Sequence, residues 1–184
     1  MNDLNERAGI GRNDDAQRPD GRRFFGLWRH LDLIHDGRTF LRRRGFDLRR
    51  FGGIVVHHID GPDPGMDLHD HPWAFITIIL RGSYVEEAAH TASLDLAAER
   101  GWGVHHDVRV WRRWSIHRMP LTVAHRIIHA DQDTLTLVLR WRKVRTWGFY
   151  APGGWVSWED YDYAARRPCT VASSHPEENM VAEP

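Results

Sequence analysis

The chain of 184 residues has one cysteine, Cys169, and one lysine, Lys143. A single cysteine excludes an internal disulfide framework and fits a reducing compartment. Basic and acidic residues balance at 25 each, which leaves no net charge to hold a nucleic-acid or anionic-membrane surface. The longest apolar stretch, around Trp73 to Leu80, is far below the roughly 18 residues that a membrane span needs. The opening segment, MNDLNERAGIGRNDDAQRPDGRR, is polar and lacks the apolar core of a secretory signal. Heptads, internal repeats, low-complexity blocks and a DNA-reading helix-turn-helix are also missing. The expectation is a cytoplasmic protein with a small-molecule substrate and with neither nucleic acid nor membrane as partner.

What is present is a hydrophobic fraction of 41% and 9 tryptophans, enough for one core with large aromatic walls. Residues 1–22 are polar and aperiodic and read as a disordered tail. Residues 23–52 read as a short amphipathic helix carrying Phe24, Leu27, Trp28, Leu31 and Ile34, then an Arg-rich connector. The connector's arginines read as a solvated face over an aliphatic underside, with anion binding as the alternative. The aromatic helix is compatible with a homodimer formed by strand or helix exchange.

From Gly53 the texture changes to short β-rich runs separated by turns. The runs are Ile54–Ile59, Trp73–Leu80, Ser83–Ala88, Val108–Ile116, Thr122–Ala130, Thr134–Trp141, Arg145–Tyr150 and Trp155–Trp158. GPDPG at 61–65 is a turn, and 92–106 reads as a longer excursion. This spacing implies an all-β sandwich or barrel over 53–165. Residues 166–184 read as a flexible tail.

Histidine supplies the chemistry. His69 and His71 stand two apart at the head of a β run, so both side chains leave on one face. His125 lies on a later run. Three imidazoles from two strands suit a transition metal inside a barrel. If the pair faces inward, Trp73, Phe75, Thr77 and Ile79 share the face and line a pocket; Val123, His125, Ile127 and His129 share one on the second strand. Asp70 points away and orients a neighbouring amide or Arg126. Tyr84 and Glu86 share a face on the strand after Gly82, where Glu86 suits a supporting or acid–base role. Among Arg81, Arg118 and Arg140, strand parity selects Arg81, at the barrel rim, to grip an anionic substrate.

These motifs resemble the cupin superfamily. Its first motif, His-x-His, an acidic ligand and a glycine, is matched by His69-Asp70-His71, Phe75 and Gly82; its second is matched by Pro120 and His125, with Thr122 in the glycine's place. The likeness covers roughly residues 53–158. HDHPW and RTWGFYAPGGWVSWEDY are also similar to small bacterial and phage cupins. The resemblance implies a double-stranded β-helix and a divalent metal on His69, His71 and His125. Phe75 stands where many metal cupins carry glutamate. Thiol dioxygenases of the family likewise use three histidines on iron(II). The implied function is an Fe(II) dioxygenase, with two alternatives: a zinc(II) isomerase, lyase or hydrolase using Glu86 or Tyr84 for the proton, and a non-catalytic binding module.

Overall fold

A computed structural model describes residues 28–35, 38–48, 51–163 and 165–166. The expected tails at 1–22 and 166–184 lie outside these residues, Arg166 excepted. Among the described residues, twelve strands form two antiparallel six-stranded sheets. The first sheet holds, in spatial order, β1 (Trp28–His35), β2 (Arg38–Asp47), β3 (Gly53–Ile59), β10 (Thr134–Arg140), β5 (Phe75–Arg81) and β8 (Ile116–Met119). The second holds β12 (Gly154–Ser157), β11 (Gly148–Ala151), β4 (Leu68–His69), β9 (Val123–Ala130), β6 (Ser83–His90) and β7 (Asp107–Arg112). Between β3 and β11 the chain crosses repeatedly from one sheet to the other, giving the double-stranded β-helix, or jelly roll, that the resemblance implies. No helix among the described residues is long and apolar enough to cross a membrane.

Four expectations about individual elements need correction. The helix expected over Phe24–Ile34 is instead β1 from Trp28 onward, paired along its length with β2. A short apolar set fits both periods, and the neighbouring strand decides by supplying hydrogen-bond partners. The Arg-rich connector is β2 itself, so the first sheet reaches back to residue 28 rather than starting near 53. The excursion over 92–106 contains helix α1 (Thr91–Arg100), which ends at Gly101 in the left-handed region, with its N–H on the Ala97 carbonyl. Its run of Ala, Leu, Glu and Arg followed by glycine is an ordinary helix signal. The single run expected over Val108–Ile116 divides between β7 and β8, in opposite sheets, at a turn where Trp114 takes φ 69°.

Strand alternation sorts the core into layers. Ile59, Ile79 and Tyr84, with Leu41, Trp111 and Ile127 against them, join both sheets at one level of the interior. Phe75, Met119 and Val138, with Trp73 and Val123, form a second apolar cluster. On β5, Thr77 lies between Phe75 and Ile79; on β3, His57 lies between Val55 and Ile59; on β8, His117 precedes Met119. A polar layer is therefore enclosed between two apolar ones. Outside the second sheet, Leu94 of α1 packs on Leu68, Ala89 and Ala124.

The β5–β6 connection depends on Gly82. Its φ is +72°, and a Cβ there would meet Thr134 Oγ1 at 2.5 Å. That hydroxyl already donates to the carbonyls of Ser83 and Asp131. Gly82→Ala should lower stability by about 2 kcal/mol, from backbone strain and displacement of Thr134. Urea unfolding measures this, and a wild-type midpoint would refute the account.

Candidate metal centre

β4 ends at His69, which sits directly opposite His125 on β9. The chain then crosses toward the first sheet, and His71 falls on the crossing segment just before β5. The three rings stand 4.8 to 5.0 Å apart between centroids. One donor nitrogen from each lies within 4.8 Å of the others, so the cluster is able to hold a metal ion.

Nε2 of His71 and Nε2 of His125 are 2.7 Å apart and hydrogen-bonded. On the far side of its ring, His125 Nδ1 meets Glu86 Oε1 at 2.6 Å. An ionised Glu86 accepts only, so Nδ1 carries the proton and Nε2 of the neutral ring keeps a lone pair for ligation. The bond between the two Nε2 atoms needs a single proton, which a metal ion would displace. Two nitrogens each about 2.1 Å from one ion, at right angles, stand about 3.0 Å apart. Opening the His71–His125 pair by a few tenths of an ångström reaches that spacing, and the donor set of three imidazoles fits a divalent transition metal.

Electrostatics favour the neutral, ligating form of two of the three rings. Burial, with the charge of His125 second, holds the His69 and His71 pKa values well below the ordinary imidazole range, so both rings are neutral. Burial alone would also lower His125, but the charge of Glu86 and the bond to it prevail and raise it. Burial would raise Glu86, yet the charge and hydrogen bond of His125 hold it below the usual carboxylate range. Glu86 is thus an anion 3% exposed, with Oε1 on His125 and Oε2 accepting the Trp111 indole N–H at 2.7 Å.

Glu86 and Tyr84 do face inward together. Glu86 braces a candidate ligand ring from behind, the usual part of a carboxylate bonded to a metal-ligating histidine. The Tyr84 hydroxyl is bonded to His117 Nε2 at 2.6 Å. His117 stacks on Trp111 at 4.3 Å. Both side chains expected to move protons are therefore held by neighbours. Phe75 stands edge-on to His71 at 4.8 Å, so the position beside the triad is apolar. Thr77 is buried on the same inward face of β5. Trp73 packs beside Phe75 and carries the Arg140 guanidinium on its ring at 4.4 Å.

Two expected pocket residues are elsewhere. His129 is exposed, near Asp131. The β6–β9 register shifts between Val85 and Glu86, where Ile127 and His129 face consecutive β6 residues. This bulge takes up Ile128 and reverses the parity, so that Ala130 rather than His129 meets the core. Arg81 lies at the far end of β5 from Phe75, about 20 Å at the usual strand rise. Its Nε donates to the Asp133 carbonyl, and its Nη2 meets His58. Arg118 is exposed, and Arg140 pairs with Asp47.

Asp70 is directed away from the triad, accepting the Gly148 N–H at 2.8 Å and pairing with Arg145 at 2.9 Å. It anchors β11 rather than Arg126, which pairs with Glu87. The sequence reading missed Asp63. This residue of the GPDPG turn accepts the Ile127 N–H at 2.7 Å, and its carboxylate lies 3.9 Å from His69 Nδ1. Burial pushes its carboxyl above the ordinary range. Only the fold brings that turn beside β9. A separate cavity of about 390 Å³ lies outside the barrel, between α1 and β11, lined by Leu94, Trp102, Val104 and Tyr150 among others.

No family model and no curated protein sequence matches the chain. Solved structures that overlap in part include the iron(II) form of HppE, at 11% identity and TM-score 0.47, over 66% of this chain and 62% of that one. Streptomyces albus HEPD, with 2-hydroxyethylphosphonate and Fe(II) bound, overlaps at 8% identity and TM-score 0.47, over 63% of this chain and 24% of that one. Drosophila melanogaster CENP-C bound to CAL1 overlaps at 8% identity and TM-score 0.43, over 60% of this chain and 76% of that one. The chain thus spans less than two thirds of HppE and of HEPD. Architecture by itself names no activity.

The neutral histidines have a consequence for stability. His57, His69 and His71 all have folded pKa values well below the ordinary 6.5. Below that value the unfolded chain binds protons that the folded one does not. Folded stability is therefore full above 6.5 and lost as pH falls toward the depressed values; the raised His125 offsets part of this. The melting temperature of metal-free protein should drop between about pH 7.5 and about pH 5.5, ahead of carboxylate titration. A flat profile would contradict the burial of these rings in neutral form.

Proposed function

We propose that the protein is a metal-dependent cupin enzyme acting on a small polar molecule, with His69, His71 and His125 as the ligands. The observation that carries this reading is the convergence of three imidazoles, one of them oriented through Nδ1 by a buried carboxylate that makes no other use of that oxygen. By holding a proton on Nδ1, Glu86 leaves Nε2 as the atom that His125 directs at the other two rings.

Iron(II) dioxygenation is the favoured reaction. Three neutral donors leave the full charge of a divalent ion uncompensated, which suits an anionic substrate. When bound, iron(II) would supply the electrons for activating dioxygen. The chain's own part is to orient and to exclude water. Phe75, beside His71, limits solvent at the reacting face. Glu86, held by Trp111, keeps the His125 ring fixed. A zinc site doing proton-transfer chemistry is less well supported, because the hydroxyl of Tyr84 and both oxygens of Glu86 are already bonded.

Elemental analysis of purified protein, with anaerobic iron reconstitution and oxygen uptake, tests the reading. Wild type should retain iron and His71→Ala should lose it; equal metal in both removes the site. Glu86→Gln should weaken divalent-ion affinity about ten- to a hundred-fold with the fold intact. Phe75→Glu should tighten it, since a carboxylate would then stand beside the triad. Competition with a chromogenic chelator reads both, and unchanged affinities would argue that neither position acts on the ion.

A further inference from the structure

The polar layer of the barrel contains groups with nothing in the chain to bind. Cross-strand pairing sets Arg43 opposite His57, His57 opposite Thr136, and Thr77 opposite His117, across adjacent strands of the first sheet. On β2, Leu41 packs inward on the Ile59–Ile79 cluster, so Arg43 shares its inward face, while Arg42 turns outward to Asp60. His117 is taken up by Tyr84. The others are not. Nε2 of His57 and Oγ1 of Thr136 are shielded from solvent and have no hydrogen-bond partner. No acceptor among the described residues pairs with Arg43, and the charge that acts on it is another cation, Arg140.

Buried polar atoms are nearly always paired, and each bond left unmade there destabilises the fold. Two such atoms beside a half-buried guanidinium call for an acceptor from outside the chain. Arg43 presents an N–H fork, Thr136 an O–H and His57, in its Nε2–H tautomer, a third donor. Arg43 and His57 are also among the charges that act on His71, so the group faces the same interior as the triad.

We propose that Arg43, His57 and Thr136 form an oxyanion pocket that takes a carboxylate or phosphate group of the substrate. The orientation of the substrate's other end toward the metal rests on the reading of the triad given above; the pocket itself does not. It replaces Arg81 as the anion-gripping element.

The test is calorimetric titration of full-length, metal-free protein with inorganic phosphate and, separately, acetate, at constant ionic strength against sodium chloride. Removing metal keeps either anion from binding at the triad, so this result is independent of the metal analysis. Saturable one-to-one binding of phosphate or acetate is expected, and whichever binds more tightly names the oxyanion. Arg43→Met should weaken it at least about ten-fold, the loss of a charge-assisted hydrogen bond. Thr136→Val is the sharper variant. It removes the unpaired hydroxyl without changing volume much, so the melting temperature should hold or rise while anion affinity falls. A merely structural threonine would leave affinity alone. Absence of saturable binding of both anions to wild type, or equal affinity in wild type and Thr136→Val, overturns the pocket.

Discussion

The buried hydrogen bond between His125 and Glu86 ties the barrel's architecture to its chemistry. It joins neighbouring strands β9 and β6 of the second sheet, both drawn inward by alternation. It keeps Glu86 an anion although burial favours the neutral carboxyl. It also places a proton on Nδ1 of His125, which leaves Nε2 to face the other two rings. Trp111 and, through stacking, His117 and Tyr84 extend the same chain of contacts to the first sheet. A barrel interior filled only with aliphatic side chains would pack as well; this one carries a connected polar layer instead.

That layer is held between apolar clusters that close the interior above and below. Phe75, Met119 and Val138 exclude water on one side, and Ile59, Ile79 and Tyr84 on the other. Within a low-dielectric interior each polar contact is strengthened and each unmade one is costly. The same physics explains the neutral His69 and His71, the charged Glu86, and the significance of unpaired atoms on His57 and Thr136. Anchoring from outside completes the site: Asp70 and Arg145 fix the segment after β4, and Asp67 pairs with Arg166 at 2.6 Å.

Much of the site was legible because one periodic rule survives folding. Residues two apart on a strand share a face, which is enough to group Glu86 with Tyr84 and Phe75 with Thr77. The rule failed at His129 for a local reason, one extra residue on β9 opposite β6. It failed at Arg81 for a geometric one: sharing a face with the triad says nothing about distance along the strand. The N-terminal helix failed because eight residues of apolar texture fit either period until a partner strand is known.

Alternation and turn residues by themselves determined an all-β barrel, and the His-x-His spacing marked the candidate ligands, since these are properties of neighbours in the chain. The expectation that one strand carries both His69 and His71 failed, because β4 ends at His69. Only the tertiary structure decided that His125 lies opposite His69, that the turn carrying Asp63 comes beside them, and that an arginine from a run resembling a solvated surface turns inward as Arg43. Those outcomes depend on which strands pair and in what register. Register is set by the summed burial of whole sheets, a quantity no short stretch of sequence contains.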